Sequence, residues 1–137
     1  MTFEPVYQRT SSDCVVCCLA MYLGVSYEEA RAMVQDHPGG GVCFNQAVEA
    51  LRKRGRSARR SVYFFSGFPA ILDLPSLNLV GRMHACYWDG EKAWDPNAGK
   101  SDRLVWTTEL VMVRCAWGGT ITEVPVEDEP ILVEVAT

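Results

Sequence analysis

The sequence predicts an α+β fold, with N-terminal helices packed on a C-terminal antiparallel sheet. Three observations lead there. Up to about residue 55, apolar residues recur at helical spacing between recognisable caps. Beyond that point short β-prone runs alternate with glycine, proline and Asp-Gly breaks. Helices first and strands second is the segregated order of an α+β domain rather than the alternation of a parallel α/β sheet. At 137 residues the chain suits one domain, residues 1–137, with a single core.

The elements follow in order. Ser12 or Asp13 can cap a helix running to about Leu23, with Gly24 as its stop and Val15, Cys18, Leu19 and Tyr22 on its apolar face. Ser26-Tyr27-Glu28-Glu29 is a capping box, which predicts a second helix to about Gln35. His37-Pro38-Gly39-Gly40-Gly41 breaks that helix, and a third spans roughly Asn45 to Arg54 before Gly55. Arg60 to Phe65 and Ala70 to Leu74 read as strands separated by Gly67 and Pro69. Arg82 to Trp88 and Glu91 to Trp94 flank Asp89-Gly90, a two-residue hairpin signal. Val111 to Trp117 and Thr120 to Val126 flank Gly118-Gly119 and predict a second hairpin. Ile131 to Val135 predicts an edge strand.

Composition narrows the function classes. Hydrophobic content of 48% and charged content of 22% are ordinary for a globular fold. The net charge of −4 gives no overall pull toward nucleic acid or an anionic membrane. No apolar run approaches the roughly 20 residues of a spanning helix. Met1-Thr2-Phe3-Glu4-Pro5 lacks the basic start and apolar stretch of a secretion signal, so a cytoplasmic location is expected. In that setting the six cysteines (Cys14, Cys17, Cys18, Cys43, Cys86 and Cys115) are expected to be reduced, most of them packing as small hydrophobes.

Four residues suggest chemistry. Cys14 stands where the polar turn Thr10-Ser11-Ser12-Asp13 runs into an apolar helix. The first N–H groups of a helix lack intrahelical partners and favour negative charge, so a thiol there ionises more readily. The chain has two histidines, and His84 lies within a strand whereas His37 lies in the Pro/Gly-rich break. Asp95 follows the strand that returns from Asp89-Gly90, where a carboxylate can hold the His84 imidazole in the tautomer that accepts a thiol proton. Gln8 lies six residues before Cys14. Its amide and the Cys14 backbone N–H are candidate donors to a developing oxyanion.

Together these residues resemble a known family. Gln8, Asp13-Cys14, Cys18-Leu19-Ala20-Met21 and Leu23-Gly24 look like the start of the double-glycine leader peptidase domain. His84-Ala85-Cys86-Tyr87-Trp88-Asp89-Gly90 and Trp94-Asp95-Pro96 look like its histidine strand and Asp-Pro turn. That domain belongs to the papain-like cysteine peptidases and stands at the front of bacteriocin-exporting ABC transporters. The resemblance implies a papain-like fold, here as a free-standing single-domain relative. It also implies a peptide, isopeptide or protein substrate, no cofactor and no metal. By resemblance Cys14 is the nucleophile, His84 the general base and acid, Asp95 the orienting carboxylate and Gln8 an oxyanion donor. Val15 stands where the family has glycine and is expected to narrow the substrate groove.

Other readings stay open beside that one. Tyr7, Trp88 and Trp94 lie near these residues in sequence and either wall a substrate groove or pack in the core; Tyr7 and Trp88 join Val15 as substrate-binding candidates. Cys14 and Cys17 have CxxC spacing, and Cys43 with His84 would complete four metal ligands, although a second closely spaced pair is missing. Arg52, Lys53, Arg54, Arg56, Arg59 and Arg60 form a basic stretch, either a solvated helix end or a dock for an anionic partner. The alternative to an enzyme is an inactive module on the same fold that grips a protein or anionic partner.

Overall fold

Helix α1 (Cys14–Leu23) is the element around which the rest is laid. Its seven consecutive residues from Val15 to Met21 are all buried, so it is enclosed on every side rather than only along one stripe. Gly24 ends it in the left-handed conformation at φ 68°, where a side chain would be strained. The computed structural model describes residues 3–35, 41–61, 67–116 and 131–136. Helices α2 (Tyr27–Ala32) and α3 (Phe44–Lys53) pack on α1. The Ser26 hydroxyl caps α2 by accepting from Glu29 N at 3.1 Å, as the capping box predicts. The helix nevertheless stops at Ala32 instead of about Gln35. The Gln46 side chain links the start of α3 to the end of the α2 segment, accepting from Cys43 N and donating to the Gln35 carbonyl.

The sheet has five strands: β1 (Ser57–Ser61), β2 (Ala70–Pro75), β3 (Met83–Trp88), β4 (Ala93–Trp94) and β5 (Ile131–Ala136). Their order is β1-β5-β2-β3-β4, and every neighbouring pair is antiparallel. The α+β architecture is therefore as expected, while several elements differ from the sequence reading. Residues 131–136 form an inner strand, pairing with β1 on one side and β2 on the other, not an edge. The edge strand β1 begins at Ser57, earlier than Arg60, and residues 62–65 lie outside the described residues.

The segment from Val111 is not a strand. Thr108–Ala116 forms helix α4. Thr107 starts it: its hydroxyl accepts from Leu110 N at 3.2 Å, its carbonyl accepts from Val111 N at 3.0 Å, and Glu109 sits in the first turn. These start signals outweigh the β-branched character of Val111 and Val113. The expected Gly118-Gly119 turn, the strand from Thr120 to Val126 and most of the break from His37 lie outside the described residues. The β3–β4 connection is also wider than two residues, since Trp88 pairs with Ala93. The Asp89 carboxylate fills the turn by accepting from Glu91 N and Lys92 N. Gly90, at φ 106°, lets its carbonyl take the Gly67 N–H at 2.7 Å; a Cβ there would meet the Gly67 backbone at 3.3 Å.

Strand alternation divides the core in two. Ile71, Ala85 and Tyr87 join the large cluster around α1. Ala70, Leu72, Leu74, Cys86 and Trp88 join a second cluster with Trp106 and Val111. His84 pairs with Leu74 and shares its file with Cys86 and Trp88, at the end of β3 that opens toward Cys14.

Candidate active site

Cys14 is the first residue of α1 and half-buried. The turn before it is held by an acid the sequence reading assigned only as a helix cap. Asp13 takes the N-cap position, but its side chain caps nothing. Its buried carboxylate turns back to accept from Arg9 N at 2.9 Å and from the Tyr27 hydroxyl at 2.8 Å. Burial alone would push the Asp13 pKa up; hydrogen bonding to the carboxylate, led by Arg9 N and the Tyr27 hydroxyl, outweighs it and holds the pKa below the usual value. Arg9 adds a stacking contact, its guanidinium 4.0 Å above the Tyr27 ring, and an exposed ion pair to Glu28.

His84 and Asp95 form the buried pair expected of them. His84 Nε2 lies 2.6 Å from Asp95 Oδ1, and the Asp95 side chain is 1% exposed. Asp95 is gripped from three directions, because Oδ1 also accepts from Asn97 N at 2.8 Å and Oδ2 accepts from Trp106 N at 2.7 Å. The carboxylate therefore cannot rotate without losing backbone bonds. With Nε2 engaged, Nδ1 is the ring nitrogen left for a thiol, and Cys14 lines the same cleft as the ring. Burial opposes the imidazolium, but the bond to Asp95, then those to Cys14 and Cys86, outweigh it and raise the His84 pKa to about 12.

The thiols are not equivalent. Burial pushes Cys86 up to about 12 and drives Cys17 and Cys18 well above an ordinary thiol. These three are held protonated inside the fold, whereas Cys14 and Cys43 are half-buried; the Cys115 side chain lies outside the described residues. Cys14, Cys17, Cys43 and His84, the four residues of the metal alternative, form no grouping with ligand-like spacing among the described residues. Among the described residues the one grouping with ligand-like spacing is His84, Cys86 and Asp95, whose atoms lie within 4.8 Å of one another. Its imidazole and carboxylate already bind each other, and its thiol is the protonated Cys86.

Cys14 and His84 open onto a cleft of about 300 Å³ that Gln8 also borders. Gln8 is tied to the Asp95 turn, its backbone N donating to the Pro96 carbonyl at 2.9 Å. The side-chain Nε2 donates to the Thr10 carbonyl at 3.2 Å, leaving Oε1 buried without a partner among the described residues.

The remaining substrate candidates separate. Val15 is 2% exposed, yet it borders a smaller cavity shared with Cys14 and His84. Tyr7 is 48% exposed and lines a different cavity, with Trp94, Asp95 and Trp106. Trp88 is corrected outright: it is 1% exposed, sits in the second core cluster and can wall no groove. Its pairing with Ala70 puts it deep in the sheet, at the far end of β3 from His84.

Sequence reasoning missed Trp106, whose N–H orients Asp95 and whose indole donates to the Pro75 carbonyl at 2.9 Å. No local pattern marks it. It also missed three cations on the cleft wall, Arg82, Lys100 and Arg103. None of the basic residues from Arg52 to Arg56 borders the cleft; Arg52 and Lys53 lie in the last turn of α3. The Arg59 and Arg60 side chains lie outside the described residues.

No protein-family model matches the chain. No curated protein sequence matches it either. Among solved structures it is similar to the crystal structure of a double glycine motif protease from an AMS/PCAT transporter in complex with the leader peptide. The identity is 17%, the TM-score 0.57, and the match covers 98% of this chain and 93% of that one. The likeness establishes a shared fold over almost the whole chain. No helix among the described residues is long and apolar enough to cross a membrane.

Proposed function

We propose that this chain is a papain-like cysteine peptidase or amidase that cleaves a peptide or isopeptide bond through a thioester on Cys14. One observation carries the reading: the His84 ring is clamped to Asp95 through Nε2 at 2.6 Å, at the wall of an open cleft that Cys14 also lines. In this reading His84 already carries the proton, as its raised pKa requires, and the Cys14 sulfur attacks the carbonyl carbon of the bound amide. The Cys14 backbone N–H and the Gln8 amide receive the oxyanion, and His84 delivers the proton to the leaving nitrogen. Water then attacks the thioester with His84 as base, which regenerates the thiol and releases the acid. Asp95 fixes the ring throughout and does not itself take the proton. Gln8 serves as a donor once its amide turns from Thr10 toward the cleft.

A second reading, an inactive module that grips a partner, is favoured by that present commitment of the Gln8 amide to Thr10. Acylation separates the two. An activated peptide ester should leave its acyl group on Cys14, detected by mass spectrometry after acid quench. The adduct should form more slowly in His84→Ala and be absent in Cys14→Ala. Equal acylation of Cys14 and Cys43, unchanged by His84→Ala, would leave the binding module as the better account.

A further inference from the structure

The chain carries more acid than base, 17 against 13, yet its cleft is charged the other way. Arg82, Lys100 and Arg103 all line the cavity that holds Cys14 and His84, and among the described residues no aspartate or glutamate does. They arrive from two separate connections: Arg82 from the β2–β3 turn, Lys100 and Arg103 from the loop between Asp95 and α4. Both connections are built rather than loose. The Asn78 side chain bridges them, donating to the Leu104 carbonyl and accepting from Leu104 N, both at 2.8 Å. The Ser76 N–H closes the β2–β3 turn on the Arg82 carbonyl at 2.8 Å. None of the three cations has a carboxylate partner among the described residues, although the exposed Asp102 lies between two of them in sequence. Like charges gathered on a scaffold without counter-charges repel one another unless a ligand supplies the anions. Leu79 and Met83 stand on the same wall and give apolar area beside the charges.

We propose that this cleft selects peptide substrates carrying aspartate or glutamate side chains on the flank of the scissile bond that faces Arg82, Lys100 and Arg103. The proposal rests on the peptidase reading for the position of the scissile bond. The peptide chain accounts for the cleft's mixed wall, and several side-chain carboxylates match three cations spread over two loops better than one chain terminus does.

Binding tests this without turnover. Cys14→Ala is titrated with short fluorescent peptides, amidated at the C-terminus and differing only in carrying Glu, Gln or Lys. The Glu peptide should bind about tenfold tighter than the Gln peptide, the gain from two or three exposed charge contacts. At about 0.5 M salt, where screening is nearly complete beyond a few ångström, the gap should close. The double variant Arg82→Glu/Lys100→Glu, at two exposed positions, should lose the preference for Glu and gain affinity for the Lys peptide. Arg56→Glu, outside the cleft, should leave the preference intact. Wild-type protein alkylated at Cys14 with a bulky reagent should bind none of the peptides well.

Equal binding of Glu and Gln peptides at low salt would overturn the proposal. So would a Glu preference that survives the double variant or the blocked cleft. A Gln peptide with a free C-terminal carboxylate that matches the amidated Glu peptide would overturn it too, by assigning the cations to a chain end. An acid preference that holds while Cys14 fails to acylate would sink only the peptidase reading.

Discussion

Asp95→Asn replaces one oxygen by an NH₂ group and tests both the orientation of His84 and the packing behind it. The carboxylate accepts from His84 Nε2 and Asn97 N on Oδ1 and from Trp106 N on Oδ2. An amide cannot satisfy all three donors. If its oxygen faces Trp106, its NH₂ donates to His84 Nε2, and the imidazole is locked with its proton on Nδ1, where it cannot accept from Cys14. If the oxygen faces His84, the buried Trp106 N–H meets another donor. The first arrangement costs activity, on the order of 10⁴-fold where a triad carboxylate is replaced in this way. The second costs about 1–3 kcal/mol for an orphaned buried donor, and losing charge-assisted bonds adds a comparable amount. A total of about 2–6 kcal/mol shifts a urea midpoint by roughly 1–4 M at an m-value of about 1.5 kcal/mol/M. The assay pairs urea unfolding with the rate of Cys14 alkylation near neutral pH, and follows His84 by NMR. Without the Asp95 bond, burial dominates and the His84 pKa should fall far below about 12. Wild-type alkylation rate, urea midpoint and His84 titration in Asp95→Asn would together refute the assignment of Asp95 as the orienting group.

Alkaline pH should destabilise the protein in two stages. The His84 pKa is raised from 6.5 to about 12, so its contribution is fully present below 6.5 and is lost as pH rises through that window. Above about 9 the unfolded thiols of Cys17, Cys18 and Cys86 ionise while burial still holds the folded ones protonated, and the slope of unfolding free energy against pH should steepen. A stability flat between pH 6.5 and 9 would contradict the His84 assignment. Trp88→Ala should cost about 3–5 kcal/mol in denaturant unfolding, as for other buried aromatics, while Tyr7→Ala costs under about 1 kcal/mol. Comparable losses would contradict the burial assigned to Trp88. A thiol reagent under native conditions should modify Cys14 and Cys43 first, and Cys17, Cys18 and Cys86 only at the rate of unfolding; early modification of any buried thiol, read by peptide mapping, would contradict the packing around α1.

The site was legible where local grammar carries it. Cys14 follows a polar turn and opens an apolar helix; His84 is the one histidine within a strand; Asp95 closes the returning strand before a proline. Each signal spans a few residues, and the hairpin brings the last two together. What failed depends on distance along the chain or on competing local signals. Val111 and Val113 looked like strand residues because β-branching was weighed above the Thr107 cap and Glu109. The strand from Ile131 looked like an edge because its partners, β1 and β2, lie about 60 residues or more away. Trp88 looked like a groove wall because nearness in sequence to His84 was taken for nearness in space, whereas four residues along a strand is about 13 Å. Arg82, Lys100 and Arg103 form no run, so no charge pattern announced them.

Two buried carboxylates organise the loops around Cys14 and His84. Asp13 gathers Arg9 N and the Tyr27 hydroxyl and so fixes the loop that leads into Cys14. Asp95 gathers Asn97 N, Trp106 N and the His84 ring and so fixes the opposite wall. The two loops meet at the Gln8 N to Pro96 O bond of 2.9 Å, which sets the separation of nucleophile and base through backbone rather than through long side chains. A buried carboxylate with several N–H donors resists rotation, because every rotamer but one orphans a donor in a low-dielectric interior. That is why Cys14 and His84 border one cleft although one comes from a helix and the other from a strand. It also locates an adjustable part of the site: Gln8 has its backbone pinned while its buried Oε1 lacks a partner, so turning the amide breaks one side-chain bond, that to the Thr10 carbonyl.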